Sequence, residues 1–489
     1  MIKDTKERLS RRVVKSGIWV VSLRITERIL YLARLVILAR ILAPGDFGLL
    51  GIALLAMMTL ENFSQTGFEA AIIQKKGDAK KYLNSVWTVG IIRGVVLFSV
   101  LYFIAPYVAL FFEVPQAKTI IRVLGLSFLI KAFTNIGIIY FKKELEFSKQ
   151  FTYQLSGTLA DFIVAVSAAL LLRNVWALVF GLIAGNTVRL ITSYIVHPYR
   201  PRLSLDLGKV KELFGFGKWV LGSSLLVFLI TQGDDVLVGK ILGVTMLGFY
   251  QMAYKISNTP ATEISLVISQ VTFPAFSKLQ GNLPGLREAY LKVLQLTAFL
   301  SFPLAGLIFV MAPEFTNIFL GEKWMPMVPA MQILVFAGLT RSVAASSGFL
   351  FYAIGKPKND TRLQIIRLIV LVIFIYPFTV TWGITGASFA VLLSILISCL
   401  GFSFMAIQIT ECGLAIYGKM ILIPLMNATI SALFVLTLKT IMDIGILEFV
   451  TLIVVGVFIY FGMTYLSDKF FRYKMQIIIK ESFQLFRGI

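Results

Sequence analysis

Ionisable side chains in the middle of long apolar segments are the residues of this sequence most able to bind a ligand. Arg24 and Arg28 are four positions apart in the first such segment, so they share one helix face a turn apart. They lie about 13 Å and about 20 Å beyond Lys15 along a helix, on either side of the middle of a ~30 Å hydrocarbon core. Guanidinium groups at that depth are costly and usually face a wet cavity or an anionic partner.

Other charged residues lie at similar depth in later segments. Arg341, in the segment TRSVAASS, and Lys255 complete the cationic candidates for ligand binding. Four carboxylates are candidates for coupling or gating, because a carboxylate in the membrane can bind Na⁺ or a proton. They are Glu61, Asp161, Asp235 and Glu263. Arg93 and Lys131 are also deep, and we expect them to pair with neighbouring acidic residues.

Basic residues outnumber acidic ones inside the predicted spans, which indicates an interior suited to an anionic ligand. The sequence contains no P-loop, HExxH, CxxC or GxSxG motif, and its single histidine, His197, lies at a predicted helix end. The two cysteines, Cys399 and Cys412, imply neither a disulfide framework nor a Cys-ligated metal site. We therefore expect neither an enzyme nor a bound cofactor, apart from Na⁺ or H⁺ as a coupling ion.

The elements that position these residues are membrane-spanning helices. Of the 489 residues, 58% are hydrophobic and 15% are charged, whereas soluble proteins average about 45–50% and about 25%. Apolar runs close to the ~20 residues that cross a bilayer recur along the whole chain. This pattern predicts an all-α integral membrane protein with about 14 transmembrane helices, located in the cell membrane.

The distribution of charge predicts how the helices are oriented. The net charge is +21, and more than half of the 46 Lys and Arg residues fall in the N-terminal tail and in every second loop. Cytoplasmic loops of membrane proteins collect basic residues in this way. Both termini are therefore expected in the cytoplasm, and the excess charge reflects topology rather than a nucleic-acid surface.

The sequence repeats at an offset of 200 residues. Trp19 recurs as Trp219, and residues 33–53 align with residues 233–253 without a gap. Six spans per repeat is an even number, so two six-helix bundles cross the membrane in the same direction, and such transporters hold their substrate between the halves. We predict an N-lobe at 1–205, a C-lobe at 206–412, two extra spans at 413–468 and a cytoplasmic amphipathic tail at 469–489.

Several motifs resemble those of the polysaccharide-biosynthesis oligosaccharide flippases, within the multidrug/oligosaccharidyl-lipid/polysaccharide exporter superfamily. The motifs are ARILAPGDFGLLGIA after the first span, GFEAAIIQKK at the end of the second, and QGDDVLVGKILG followed by LGFYQMAYKI at the start of the second half. FPAFSKLQ and GKPK fit the same pattern further along. The resemblance thus covers essentially the whole chain.

The resemblance implies a flippase that moves polyprenyl-diphosphate-linked oligosaccharide repeat units from the inner to the outer leaflet by alternating access, for cell-surface polysaccharide export. It implies that cationic cavity residues, here Arg24, Arg28 and Arg341, hold the diphosphate and any acidic sugars. The expected partners are the lipid-linked glycan, membrane lipids, and a polysaccharide polymerase with glycosyltransferases, and we expect a monomer. Two alternatives remain open: a lipid II flippase, and a multidrug or cation antiporter of the same superfamily, which a net-basic interior disfavours.

Overall fold

The computed structural model describes residues 2–64, 68, 72, 80–144, 146–471, 473 and 475–476. Among these residues all regular secondary structure is helical, and there is no strand. The chain forms two compact units, Met1–Gly248 and Phe249–Ile489. The lobes at 1–205 and 206–412 and the extra spans at 413–468 stay predictions from the repeat, and most of the tail predicted at 469–489 lies outside the described residues.

The first unit contains nine described helices, counting the start of the last one. They are α1 (Ile2–Ile41), α2 (Pro44–Phe63), α3 (Lys80–Phe111), α4 (Ala117–Ala132), α5 (Ile139–Lys143), α6 (Phe147–Leu172), α7 (Trp176–Val196), α8 (Leu207–Leu242) and the start of α9 (Val244–Lys278). Pro44 begins α2, where its missing N–H costs nothing, and the Asp46 carboxylate accepts a 2.9 Å hydrogen bond from the N–H of Ala43. Gly243 alone separates α8 from α9, with a φ of 85° that favours glycine.

Helices of the second unit continue from α9. They are α10 (Leu283–Phe315), α11 (Val328–Ala353), α12 (Pro357–Thr410), α13 (Leu414–Lys439) and α14 (Ile446–Phe471). The element α12 is kinked at Gly383, where φ is 61° and ψ is −141°. The backbone of Gly386 then lies against the carbonyl of Phe378, so α12 consists of two arms that meet at a sharp bend. The sequence predicts a boundary between two spans at this point.

Within the described part of the chain, nine helical segments are long and apolar enough to cross a membrane. Helices α1, α8 and α9 are not among the nine, and they carry five of the eight candidate site residues of the sequence: Arg24, Arg28, Asp235, Lys255 and Glu263. The total of about 14 spans and the cytoplasmic termini stay predictions.

Small residues allow α6 and α7 to pack closely. A Cβ atom added to Gly181 would lie 2.6 Å from Cβ of Ala165, and one added to Gly185 would lie 2.9 Å from the carbonyl oxygen of Gly157. Close backbone approach through small residues is typical of helix pairs in membranes. This packing fixes the position of Asp161, which lies on α6 between these contacts.

Aromatic residues dominate the buried core of the second unit. Phe351 of α11 and Phe402 of α12 stack with their ring centroids 5.7 Å apart. Tyr460 of α14 is buried and donates a 3.0 Å hydrogen bond to the carbonyl oxygen of Phe299 in α10. The first contact joins α11 to α12 and the second joins α14 to α10, all four within one buried core. The hydrogen bond also gives the buried Tyr460 hydroxyl the partner that it requires.

Candidate functional site

Arg24 and Arg28 lie on a part of α1 that neighbouring helices leave partly uncovered. Arg24 is exposed and Arg28 is half-buried, with its guanidinium carbon 5.4 Å from the centroid of the Tyr31 ring. Further along the same helix Leu38 and Ala39 are fully buried. The helix therefore emerges from the packed core of the first unit where the two arginines lie, and both guanidinium groups are accessible to a ligand.

Asp161 belongs to a charged network that joins α1, α6 and α7. Nη2 of Arg34 donates a hydrogen bond to Oδ1 of Asp161 at 3.0 Å, and the two side chains are 17% and 19% exposed. Arg189 also lies near Asp161 and donates a 3.1 Å hydrogen bond to Oγ1 of Thr158, which is bonded to Glu27. Two arginines and two carboxylates thus balance in formal charge within this network.

A cavity of about 270 Å³ lies within the first unit, between α2, α3 and α4. Glu61, Arg93 and Lys131 provide its charged lining, and Trp87 and Phe128 are among its aromatic residues. Nζ of Lys131 lies 3.9 Å from Oε1 of Glu61, and the two side chains are 49% and 41% exposed. Two cations and one carboxylate give the cavity a net charge of +1.

Arg93 is anchored at the wall of this cavity. Its Nε and Nη2 donate hydrogen bonds to Oγ of Ser64 at 3.0 and 2.8 Å, and Nη2 also donates to the carbonyl oxygen of Glu61 at 3.2 Å. These bonds use the end of α2 to fix the plane of the guanidinium group. They leave Nη1 available, as far as the described residues go, for a further acceptor.

Another wall of this cavity contains a break in a helix. The sequence predicts one continuous helix here, at 119–141. Helix α4 ends at Ala132, and a 3₁₀ turn at Ile136–Ile138 follows. Nε1 of Trp87 donates to the carbonyl oxygen of Thr134 at 3.1 Å, and the N–H of Asn135 donates to Oγ of Ser193 at 3.0 Å. Side chains thus satisfy the freed backbone groups, as required at membrane depth, where irregular backbone occurs only in protein or beside a wet cavity.

The remaining charged candidates of α8 and α9 differ in exposure. Asp235 is half-buried on α8, whereas Lys255 and Glu263 are exposed on α9. Pro260 lies between these two residues and removes one backbone N–H from the helix ladder. The hydrogen-bond ladder of α9 is therefore weakened between Lys255 and Glu263.

Arg341 is held by an aromatic side chain in the second unit. Its Nη2 donates a 2.7 Å hydrogen bond to the hydroxyl of Tyr254, and its guanidinium carbon lies 5.6 Å from the centroid of the same ring. Ser347, on the same helix, is buried and bonded to the Tyr290 hydroxyl at 2.8 Å. Arg341 is half-buried on the same helix as this buried polar pair, and Tyr254 fixes the orientation of its guanidinium group.

The predicted site residues are divided between the two units. Arg24, Arg28, Glu61, Asp161 and Asp235 belong to the first unit, and Arg341, Lys255 and Glu263 belong to the second. The structure joins Asp161 to Arg34 and Glu61 to Lys131. Sequence reasoning missed the role of Trp87 and the helix break beside it, although the run Asn135-Ile-Gly inside an apolar segment is a recognisable breaker signal.

Comparison with known proteins places most of the chain in one group of membrane proteins. A family model described as a polysaccharide biosynthesis protein matches residues 37–329. A Klebsiella pneumoniae protein, described as an uncharacterized membrane protein in the cps region, is 27% identical over 468 residues, or 94% of this chain and 96% of its own length. Lipopolysaccharide biosynthesis protein WzxC of Escherichia coli (strain K12) is 28% identical over 324 residues, or 66% of each chain. Teichuronic acid biosynthesis protein TuaB of Bacillus subtilis (strain 168) is 29% identical over 293 residues, or 59% of this chain and 60% of its own.

Solved structures share the fold. The chain is similar to the lipid II flippase MurJ in an inward closed conformation, with a TM-score of 0.74 and 16% identity over 92% of this chain and 99% of that one. It is also similar to an inward-facing multidrug resistance MATE family transporter of the MOP superfamily, with a TM-score of 0.65 and 16% identity over 79% and 95%. At these identities the likeness establishes the fold alone, which is that of a multi-pass membrane protein.

Proposed function

Because the chain belongs to the polysaccharide biosynthesis protein family, as its motifs predict, we propose that it translocates polyprenyl-diphosphate-linked oligosaccharide repeat units from the inner to the outer leaflet of the cell membrane. The chain is a multi-pass membrane protein with the fold of transporters. Relatives of it are named for lipopolysaccharide and teichuronic acid biosynthesis. Both products are cell-surface polysaccharides, which favours a glycan as the cargo.

The pair Arg24 and Arg28 supports a diphosphate as the group that is bound. Both guanidinium groups are accessible, and they lie one turn apart on the same helix. Guanidinium groups bind phosphate oxygens with two parallel hydrogen bonds and stay charged at any physiological pH. Two such groups at adjacent turns match the two phosphates of a polyprenyl diphosphate, whereas a single surface arginine would not.

Alternating access is the mechanism that the predicted architecture favours. The predicted architecture has two parallel six-helix lobes and two extra spans, 14 spans in total, with both termini in the cytoplasm. Two such lobes would present a site first to one side of the membrane and then to the other. Arg341 and Lys255, in the second unit, are proposed as further contacts for the acidic head group. The proposed transporter is a monomer that receives its cargo from glycosyltransferases and passes it to a polymerase.

An ion gradient or the membrane potential is proposed to drive the cycle, with Na⁺ or H⁺ as the coupling ion. Among the four carboxylate candidates, Asp161 and Glu61 have cationic neighbours in Arg34 and Lys131. Glu263 is exposed on a proline-containing helix. An exposed carboxylate can exchange an ion more readily than one held in an ion pair, so Glu263 is the first candidate for coupling.

Reconstitution into liposomes tests the proposal directly. A polyprenyl-diphosphate oligosaccharide with a fluorescent label on its glycan would be placed in both leaflets, and a membrane-impermeant quencher would report transfer between them. We expect the diphosphate-linked glycan to move and the monophosphate-linked glycan to move at least tenfold more slowly.

Two control cargoes separate the alternative functions in the same vesicles. Lipid II transported faster than the oligosaccharide lipid would identify a peptidoglycan-precursor flippase instead. Transport of a cationic dye in the absence of any lipid transfer would identify an antiporter. Either result would overturn the proposed cargo.

A further inference from the structure

Arg122, near the start of α4, is held in place by a backbone carbonyl of α3. Pro106 lies inside α3 and has no N–H to pair with the carbonyl oxygen of Tyr102, four residues earlier. Nε of Arg122 donates a 3.1 Å hydrogen bond to that oxygen, and its guanidinium carbon lies 4.1 Å from the centroid of the Tyr102 ring. The proline thus leaves an acceptor and the ring adds a cation–π contact, so the guanidinium group is fixed against α3.

The fixed guanidinium group keeps donors for a further ligand. Among the described residues, neither Nη1 nor Nη2 of Arg122 has an acceptor. Lys118 is exposed one turn earlier on the same face of α4, and the described part of the chain gives its ammonium group no partner. Glu113, the carboxylate nearest to them in the sequence, pairs with Lys240 at 2.7 Å instead. Two cations therefore share one helix face with their charges available to an anion.

The surface of α3 beside these cations is apolar and exposed. Phe103, Tyr107 and Leu110 are 70%, 71% and 75% exposed. Exposed apolar side chains of a membrane helix face lipid, and tyrosine is enriched where the hydrocarbon core meets the head groups. A cation that faces lipid is costly unless it reaches the interface or an anionic partner. The phosphate of a bilayer lipid is an anion present at that depth.

We infer that Arg122 and Lys118 bind the phosphate of an anionic phospholipid of the bilayer, whose acyl chains lie along Phe103 and Tyr107. The free edge of a guanidinium group binds phosphate oxygens through parallel hydrogen bonds. The two positive charges favour phosphatidylglycerol over phosphatidylethanolamine, because they repel the ammonium group of the latter. The sequence predicts this end of α3 and α4 on the outer side of the membrane. The site takes a lipid of the bilayer rather than the cargo, so it does not depend on the proposed translocation.

Native mass spectrometry of the delipidated full-length protein, titrated with phosphatidylglycerol or phosphatidylethanolamine, tests the inference. We expect the first phosphatidylglycerol to bind about tenfold more tightly than the first phosphatidylethanolamine, because its charge-assisted hydrogen bonds meet no opposing charge. R122Q should reduce this preference to less than about twofold and K118Q to about threefold, since each removes one cation. Arg173, exposed at the turn after α6 and without a described aromatic contact, supplies the matched control R173Q, which should keep the wild-type preference.

The variants separate lipid binding from a structural role of Arg122. R122Q also removes the hydrogen bond to Tyr102, whereas K118Q leaves it intact, and thermal unfolding in lipid-free detergent measures the fold of each variant. A purely structural Arg122 would lower the unfolding temperature of R122Q and leave the lipid preference of both variants unchanged, which would overturn the inference. Equal binding of the two lipids by the wild type, or an equal loss of preference in R173Q, would overturn it too. Displacement of phosphatidylglycerol by an equal concentration of polyprenyl diphosphate or inorganic phosphate would identify a cargo or free-anion site instead, and would also overturn it.

Discussion

Gly48 and Gly248 meet in one close backbone contact, and each occupies the position of the other in the 200-residue repeat register. A Cβ atom added to Gly48 would collide with the carbonyl oxygen of Val244, and one added to Gly248 would collide with that of Pro44. Pro44 and Val244 are themselves 200 residues apart. The first turns of α2 and α9 therefore cross at a separation that only glycine permits.

Alanine at either glycine should destabilise the protein by a similar amount. Backbone oxygens cannot rotate out of the way as a side chain can, so G48A and G248A must push the two helix ends apart, at a cost of about 1–3 kcal/mol each. Thermal unfolding in detergent would measure the change. G233A is the control, because no atom lies within 4 Å of a Cβ added to Gly233. Unfolding temperatures of G48A and G248A that matched that of G233A would contradict the expected clash.

The Arg34–Asp161 ion pair should show coupling in a double-mutant cycle. With side chains only 17% and 19% exposed, either single variant, R34Q or D161N, leaves a partly buried charge without its main partner and should cost about 2 kcal/mol. The double variant should cost less than the sum of the two, with a coupling energy of at least about 1 kcal/mol. Thermal unfolding of the four proteins gives the cycle, and strictly additive losses would show that the pair contributes no net stability.

His197 ends α7 in an environment that favours its neutral form. Its Nδ1 accepts a 3.1 Å hydrogen bond from the N–H of Tyr199, which requires an unprotonated nitrogen. Its ring stacks on Tyr140 at a centroid distance of 6.0 Å. Protonation of Nδ1 would break the first contact and place a charge in a partly buried site.

Burial lowers the pKa of His197 below its usual 6.5, and the positive charge of Lys149 lowers it further; Glu146 and Glu144 act in the opposite direction, and Arg200 lowers the pKa by the smallest amount. The unfolded chain therefore binds more protons than the native protein between the lowered pKa and ~6.5, so stability should rise with pH across that window and fall on acidification. Because this is the single histidine, NMR of histidine-labelled protein follows one resonance. A native titration midpoint at or above 6.5 would contradict the packing described.

The sequence predicts the type of every element more reliably than the place where an element breaks. Apolar runs indicate helices because a backbone in hydrocarbon must satisfy its own hydrogen bonds. The span predicted at 119–141 nevertheless ends at Ala132, because Asn135 and Trp87 capture backbone groups that a helix would otherwise pair. The hydrogen bond of Trp87 comes from another helix, 47 residues away, and no local pattern reveals it, whereas the run Asn135-Ile-Gly is a local breaker signal. At Gly383, by contrast, the glycine marks the bend that the sequence predicts.

The sequence predicts which charged residues lie inside the membrane better than it predicts which residues they pair with. Depth along a helix identifies Asp161, Arg93 and Lys131 as residues inside the membrane from spacing alone. That Arg34 is the partner of Asp161 follows from the approach of α1 to α6, across 127 residues of sequence. The cavity at Lys131 likewise requires three helices to meet, so the sequence indicates the charges but not the space between them.

Translocation by the variant R24Q/R28Q in proteoliposomes tests the central claim most directly. Each arginine lost should remove charge-assisted hydrogen bonds to phosphate, so the initial rate for the diphosphate-linked glycan should fall at least about tenfold. R40Q, on the same helix and exposed as Arg24 is, is the matched control and should transport at the wild-type rate. If R24Q/R28Q moved the diphosphate-linked glycan as fast as R40Q and the wild type do, these arginines would not be the diphosphate site.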